Sequence, residues 1–174
     1  MLLALCACSL DYGEAKVEET LRAETPETVL LDFTHTIVSG DVVAAVLKAQ
    51  RAETYGKKKE IVLSEVYYSE YDQEGKLATE GWADQARFNT ESEDAEVRGS
   101  IIIYSHTEKS ALYAESLSWS KNGKRLKAGA EETVLLKKDD GSYVEGKGFE
   151  ADFRENRLSF SAAVRGRYEA KKEE

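Results

Sequence analysis

An all-β fold, an open β-jellyroll or half-pipe of stacked antiparallel hairpins, follows from three observations. A short phrase recurs about every 31 to 34 residues, apolar and polar residues alternate through much of the chain, and turn dipeptides separate the runs. The phrase is a small residue, two others, an apolar residue, one other, then an aromatic. It reads Ala83-x-x-Ala86-x-Phe88, Ala114-x-x-Leu117-x-Trp119 and Gly148-x-x-Ala151-x-Phe153, with a looser copy, Ala49-x-x-Ala52-x-x-Tyr55, one period earlier. Repeats of this length predict stacked supersecondary units that share one continuous core.

Taken in order, residues 1–8 form a short apolar run ending Ala7-Cys8, which resembles the end of a bacterial lipoprotein signal with Cys8 as the acylated residue. The run lacks a basic start and is too short to span a bilayer. Cleavage before Cys8 would remove Cys6, the other of the two cysteines, and leave the folded domain without a thiol. Residues 9–28 are polar and acidic and read as a tether. The β pattern occupies residues 29–169, and a charged tail, 170–174, follows.

The pattern opens with Val29, Leu31 and Phe33 on one face. Residues 41–55 fit two readings: Val42, Val43, Val46 and Leu47 also share a helix face, but Ala49 to Tyr55 occupies the repeat position of clearer strands. Alternation is plainest in Ala95, Val97, Gly99, Ile101, Ile103 and in Leu158, Phe160, Ala162, Val164, Gly166, Tyr168. The second set predicts one long final strand. Between runs lie Glu74-Gly75, Asn122-Gly123, Asp140-Gly141 and Glu155-Asn156. Asn-Gly and Asp-Gly favour primed hairpin turns with positive φ at both central residues. An echo of Val97-Arg98-Gly99 at Val164-Arg165-Gly166, two periods on, puts a glycine at an inward position twice, where a strand bends or sheets approach closely.

Composition excludes several function classes. With 24 Lys and Arg against 33 Asp and Glu, the net charge of -9 argues against a nucleic-acid partner. The two histidines, His35 and His106, have no evident partners in sequence. No phosphate loop, nucleophile elbow or zinc-ligand cluster appears, so neither an enzyme, a cofactor nor a metal is expected. Carboxylate runs such as Glu91-Ser92-Glu93-Asp94 read as solvated turns. The aromatics Tyr55, Phe88, Trp119 and Phe153, one per repeat, are expected to stack along one side of the interior. They would fill the core between two sheets or, together with Ile101, Ile103, Phe160 and Tyr168, line a track for acyl chains. Burial there yields about 0.8 kcal/mol per CH₂. An open stack also leaves its last strand unpaired, ready to accept a partner's strand.

With its repeated phrase, its ending Val144-Glu145-Gly146-Lys147-Gly148-Phe149-Glu150-Ala151-Asp152 and its stretch from Leu158 through Val164-Arg165-Gly166-Arg167-Tyr168-Glu169, the chain resembles the LptC family over roughly residues 28–169. The resemblance implies a non-enzymatic periplasmic β-jellyroll. It would receive lipopolysaccharide or a related glycolipid from an inner-membrane ABC transporter. Its C-terminal edge would pass the lipid to the next β-jellyroll of the bridge toward the outer membrane. It implies lipid contact at Tyr168 and Leu158, and matches Gly148 to the glycine that turns into the penultimate strand. Typical members carry a transmembrane helix, where this chain offers Cys8. The other reading is a structural or adhesive β-repeat lipoprotein with a filled core and no cargo; a packed or an open interior separates the two.

Overall fold

The computed structural model describes residues 24–169. The expected signal segment, Cys8, most of the tether and the charged tail lie outside them. Twelve strands follow one another with one short 3-10 turn, Gly56–Lys58. They are β1 (Thr28–Ser39), β2 (Val42–Tyr55), β3 (Glu60–Tyr71), β4 (Leu77–Asn89), β5 (Ala95–Ser105), β6 (Ser110–Ser120), β7 (Arg125–Lys127), β8 (Thr133–Lys138), β9 (Tyr143–Lys147), β10 (Glu150–Asp152), β11 (Arg157–Ser159) and β12 (Ala162–Arg167). Residues 41–55 are thus resolved in favour of strand.

β1 to β6 form an antiparallel meander, each strand paired with the next. At β6 the sheet forks. Ser118 to Ser120 pair with β7, which leads through β10 to β11, whereas Ser110 to Tyr113 pair with β8, which leads through β9 to β12. The fork completes what a crease begins. The long strands bend near the middle, and the two halves become two walls with an interior between them. The first wall holds residues 28–31, 51–55, 60–64, 85–89, 95–98 and 116–120 with β7, β10 and β11; the second holds the other halves with β8, β9 and β12.

The recurring phrase marks this crease. In an unbroken strand, residues three apart point to opposite faces. Yet Ala49 and Ala52, and likewise Ala114 and Leu117, are all buried, and Ala83 and Ala86 both pack inward. One extra residue in each strand restores both to the inside, as in a β-bulge. On the antiparallel neighbours the extra residue takes a left-handed conformation: Asp32 at φ +50, Glu65 at +51, Gly99 at +77 and Ser100 at +46. Gly148 at +61 and Ala163 at +51 continue the line. Backbone N–H groups freed by the bend are satisfied by carboxylates. Glu132 accepts from the Glu115 and Ser116 amides at 2.7 and 2.5 Å and from the Ser116 hydroxyl. Asp84 accepts from the Ser100 hydroxyl at 3.3 Å and fills the space a Cβ on Gly99 would need.

Several expectations are corrected by the crease. The left-handed Asp32 shifts the phase of β1. Phe33 therefore packs inward with Leu30 opposite Ala52, and Leu31, facing Arg51, is 67% exposed. Tyr55, three residues past Ala52 in an unbroken half-strand, points away from the interior and donates its hydroxyl to Glu53 at 3.1 Å. The single long final strand is two, β11 and β12, divided at Phe160 and Ser161 between the two walls. The two echoing glycines do different work. Gly99 supplies a bend, whereas Gly166 lets β9 approach, since a Cβ there would meet the Tyr143 carbonyl at 2.7 Å. The turns sit where expected but carry one positive φ each, at Gly75, Lys124, Gly141 and Asn156, so none is the type I′ turn with two.

The shared core is also two clusters. Ala49, Ala52, Leu63 and Val66 form one under β1 to β4. Ala83, Ile101, Leu112, Ala114, Leu117, Val134 and Phe149 form the other, at the fork. Each draws residues from both walls, so burial of apolar surface holds the walls together.

Candidate functional site

The inner surface of the second wall is a cross-strand row: Leu47, Tyr68, Gly81, Ile103, Leu112, Leu136, Val144 and Gly166 follow in register from β2 to β12. The row itself presents hydrocarbon and one phenol, Tyr68, whose burial raises its pKa; Glu70, two residues on along β3 and opposite Ala45, stands at the outer end of the same face. Opposite it, the first wall ends in a second row: Phe88, Ala95, Trp119, Leu126, Ala151 and Leu158. Trp119 meets Phe153 edge-on, with ring centroids 5.6 Å apart.

Of the sequence-predicted residues, Phe88, Trp119, Phe153 and Leu158 therefore gather along the rim of the first wall. Ile101, Ile103 and Phe160 belong to the fork cluster. Ile101 is 2% exposed, and Phe160 packs on Phe149 with centroids 5.5 Å apart. The Phe160 ring fits because Gly146 lies beneath it; a Cβ there would stand 2.9 Å from the ring. Tyr168 is 81% exposed, just past β12.

Between the walls at the C-terminal edge a cavity of about 550 Å³ opens. Leu158 enters it from the first wall, and Leu136, Val144, Gly166 and Tyr168 from the second. Lys137, Lys138 and Arg167 stand at its border. The interior is thus packed around Phe149 and open at this mouth. Sequence reasoning reached Leu158 and Tyr168 but not Leu136 or Val144. The partners of these two lie on strands whose register is set by intervening turns.

The remaining polar chemistry is structural. Asp152 is buried, accepts from Arg125 Nε at 2.8 Å and from the Arg154 and Glu155 amides at 2.9 and 3.1 Å. The Arg125 hydrogen bond holds its carboxyl below the usual range. His106 contacts Glu80 at 2.9 Å, a partner 26 residues away that no local pattern announces. Among the described residues no group of three or more His, Cys, Asp or Glu could hold a metal ion. No helix among them is long and apolar enough to cross a membrane.

Among the described residues these features define a class: an open, folded antiparallel sheet with an apolar interior and unpaired end strands. Residues 1–169 match the model of the family described as lipopolysaccharide-assembly, LptC-related, and the chain belongs to that family. That makes it a non-enzymatic component of the periplasmic lipopolysaccharide transport bridge, a system whose proteins bind lipopolysaccharide and one another. Among solved structures it is similar to LptH of Pseudomonas aeruginosa, the LptA-homologous periplasmic component of the lipopolysaccharide transport device. The identity is 11%, the TM-score 0.32, and the match covers 86% of this chain and 99% of that one. Among curated protein sequences none matches.

Proposed function

We propose that this protein, held to the membrane on its periplasmic side through Cys8 and the tether of residues 9–28, receives lipopolysaccharide or a related glycolipid from an inner-membrane ABC transporter. It then releases the lipid at its C-terminal edge to the next β-jellyroll. The observation that carries this reading is the C-terminal mouth, where the two apolar rows converge on an open cavity beside strands with a free edge. Acyl chains gain by leaving water there at about 0.8 kcal/mol per CH₂. Of the site residues, Leu158 and Tyr168 meet cargo at the mouth, and Phe88, Trp119 and Phe153 along the rim. Ile101, Ile103 and Phe160 meet it when the fork cluster parts.

Photo-crosslinking residues at Leu158 and Tyr168, with Arg165 on the opposite face of β12 as the control, test the track. Glycolipid capture at the first two and not at the control is expected. Equal labelling at all three, or none, would overturn it. The packed fork cluster favours a second reading, the filled-core structural lipoprotein, and the same experiment separates the two. Strand addition is carried by β12, which among the described residues pairs only with β9, and by β11, which among them pairs only with β10. Deleting residues 158–174 is expected to abolish binding of the next bridge protein while leaving transporter association intact.

A further inference from the structure

Cargo and core use the inner faces of both walls; the outer faces are free, and they differ. The first wall's outer face is a lattice of opposite charges. Arg51 pairs with Glu53 at 2.6 Å, Arg87 with Glu60 at 3.3 Å, Arg98 with Glu96 at 3.0 Å and Lys127 with Glu150 at 2.9 Å. Such a face is satisfied in water. On the second wall, Tyr67, Trp82, Ile102, Tyr113 and Leu135 lie in register across five adjacent strands and face outward. Trp82 is 40% and Tyr113 38% exposed, and the Tyr67 ring packs on Trp82 with centroids 5.4 Å apart. The fold does not need this row, since the apolar core lies on the other side of the same strands.

Three features say what covers it. Strands about 4.8 Å apart make the five residues a gently twisted strip roughly 19 Å long, a shape suited to an extended surface rather than to a plug. Trp and Tyr join an apolar ring to a polar tip, the combination enriched where water meets lipid. Charges of both signs border the strip, Glu80, Glu115 and Glu145 among the acids. The row is flanked by Lys48 beside Tyr67, has Lys137 in the next outward row, and ends at Glu145, which holds Arg165 in a bidentate ion pair at 2.9 and 3.3 Å. Lys48 makes no ion pair among the described residues, and the acidic neighbour Glu80 is already engaged by the Tyr67 hydroxyl at 3.1 Å and by His106. Lys48, left without an ion pair beside the aromatic strip, complements a lipid phosphate. Two half-exposed rings and three more covered neighbours fall well short of the roughly 800 Å² per partner of a stable protein interface.

We propose that the outer face of the second wall seats the domain on a phospholipid bilayer, with Trp82 and Tyr113 at the headgroup boundary. This surface is separate from the cargo track, and the two tryptophans of the chain report on them separately. Trp82 marks the outer strip and Trp119 the inner rim. The test uses the full chain carrying Cys8→Ser, so that no acyl anchor intervenes, and phosphatidylcholine vesicles containing a minority of phosphatidylglycerol and brominated acyl chains. Trp119→Phe leaves Trp82 as the sole indole, and its emission is expected to be quenched and blue-shifted. Trp82→Phe leaves Trp119, which is expected to change little. Trp82→Ala with Tyr113→Ala should weaken vesicle flotation about fivefold or more while leaving glycolipid crosslinking at Tyr168 unchanged. Quenching at Trp119 alone, absence of vesicle binding, or a concentration-dependent dimer that protects Trp82 without lipid would each overturn the proposal. Loss of Tyr168 crosslinking with Trp82 quenching intact would instead strike the cargo reading.

Discussion

The two ends of the interior are built on the same crease and closed by opposite means. At the fork, large side chains fill the space between walls: Val134 is 0% and Phe149 2% exposed, and Phe160 lies over Gly146. Under β1 to β4 the buried set is Ala49, Ala52, Leu63 and Val66, so the walls come together because little stands between them. A folded sheet can thus be held by filling or by thinning, and the two respond to mutation with opposite sensitivities. The filled end suffers from lost volume, the thin end from added volume.

The largest expected effect is at the filled end. Phe149→Ala removes the centre of the fork cluster and should cost about 3–5 kcal/mol in urea unfolding. Amide exchange should rise in β8, β9 and β12 while β2 and β3 stay protected. Equal loosening of β2 and β3 would mean that the clusters are one cooperative unit, and the comparison would fail. At the thin end, Ala49→Leu should cost about 1–3 kcal/mol by forcing the walls apart. Its exchange signature should be confined to β1 to β4. A neutral Ala49→Leu would show unfilled space at that end and a wider groove than the buried alanines describe.

Much of the fold was legible because alternation and turn residues are local signals. The three-residue step in Ala83-x-x-Ala86 was visible too, but its meaning was not. Period-two reasoning assumes an unbroken strand, and most of the residues that break it, Asp32, Glu65, Ser100 and Ala163 beside Gly99 and Gly148, are not glycines and announce no bend. That assumption misassigned Leu31 and Tyr55 and joined β11 to β12. The aromatic ladder was half right: Phe88, Trp119 and Phe153 share the rim because they follow the phrase in step, whereas Tyr55 is one residue out of step and changes face. The outer strip was beyond reach, since Tyr67, Trp82, Ile102, Tyr113 and Leu135 meet only once three hairpins and the β6–β8 pairing across β7 set their register.

Acid provides the smallest and most selective probe of the two ends. Asp152 holds the rim of the filled end through Arg125 and two backbone amides, with its side chain 2% exposed. Glu53 plays the corresponding part at the thin end, paired with Arg51, whose side chain is 45% exposed. Hydrogen bonds from these arginines lower both carboxyl pKa values. A carboxyl lowered in the folded state contributes stability that is present above its unfolded pKa and lost as pH falls through the folded value. For Asp152 that loss begins below about pH 4. Protonation there also strands amides in a buried turn, whereas protonated Glu53 leaves Arg51 in water. Acidification should therefore loosen β10 and β11 more than β1 and β2, as read by amide exchange at stepped pH. Asp152→Asn, which keeps an acceptor for the turn amides, should flatten the acid dependence of the filled end alone. If both ends loosen together in that variant and in the parent, the rim of the filled end is held by its apolar contacts, and the Asp152 cluster adds nothing to the difference between them.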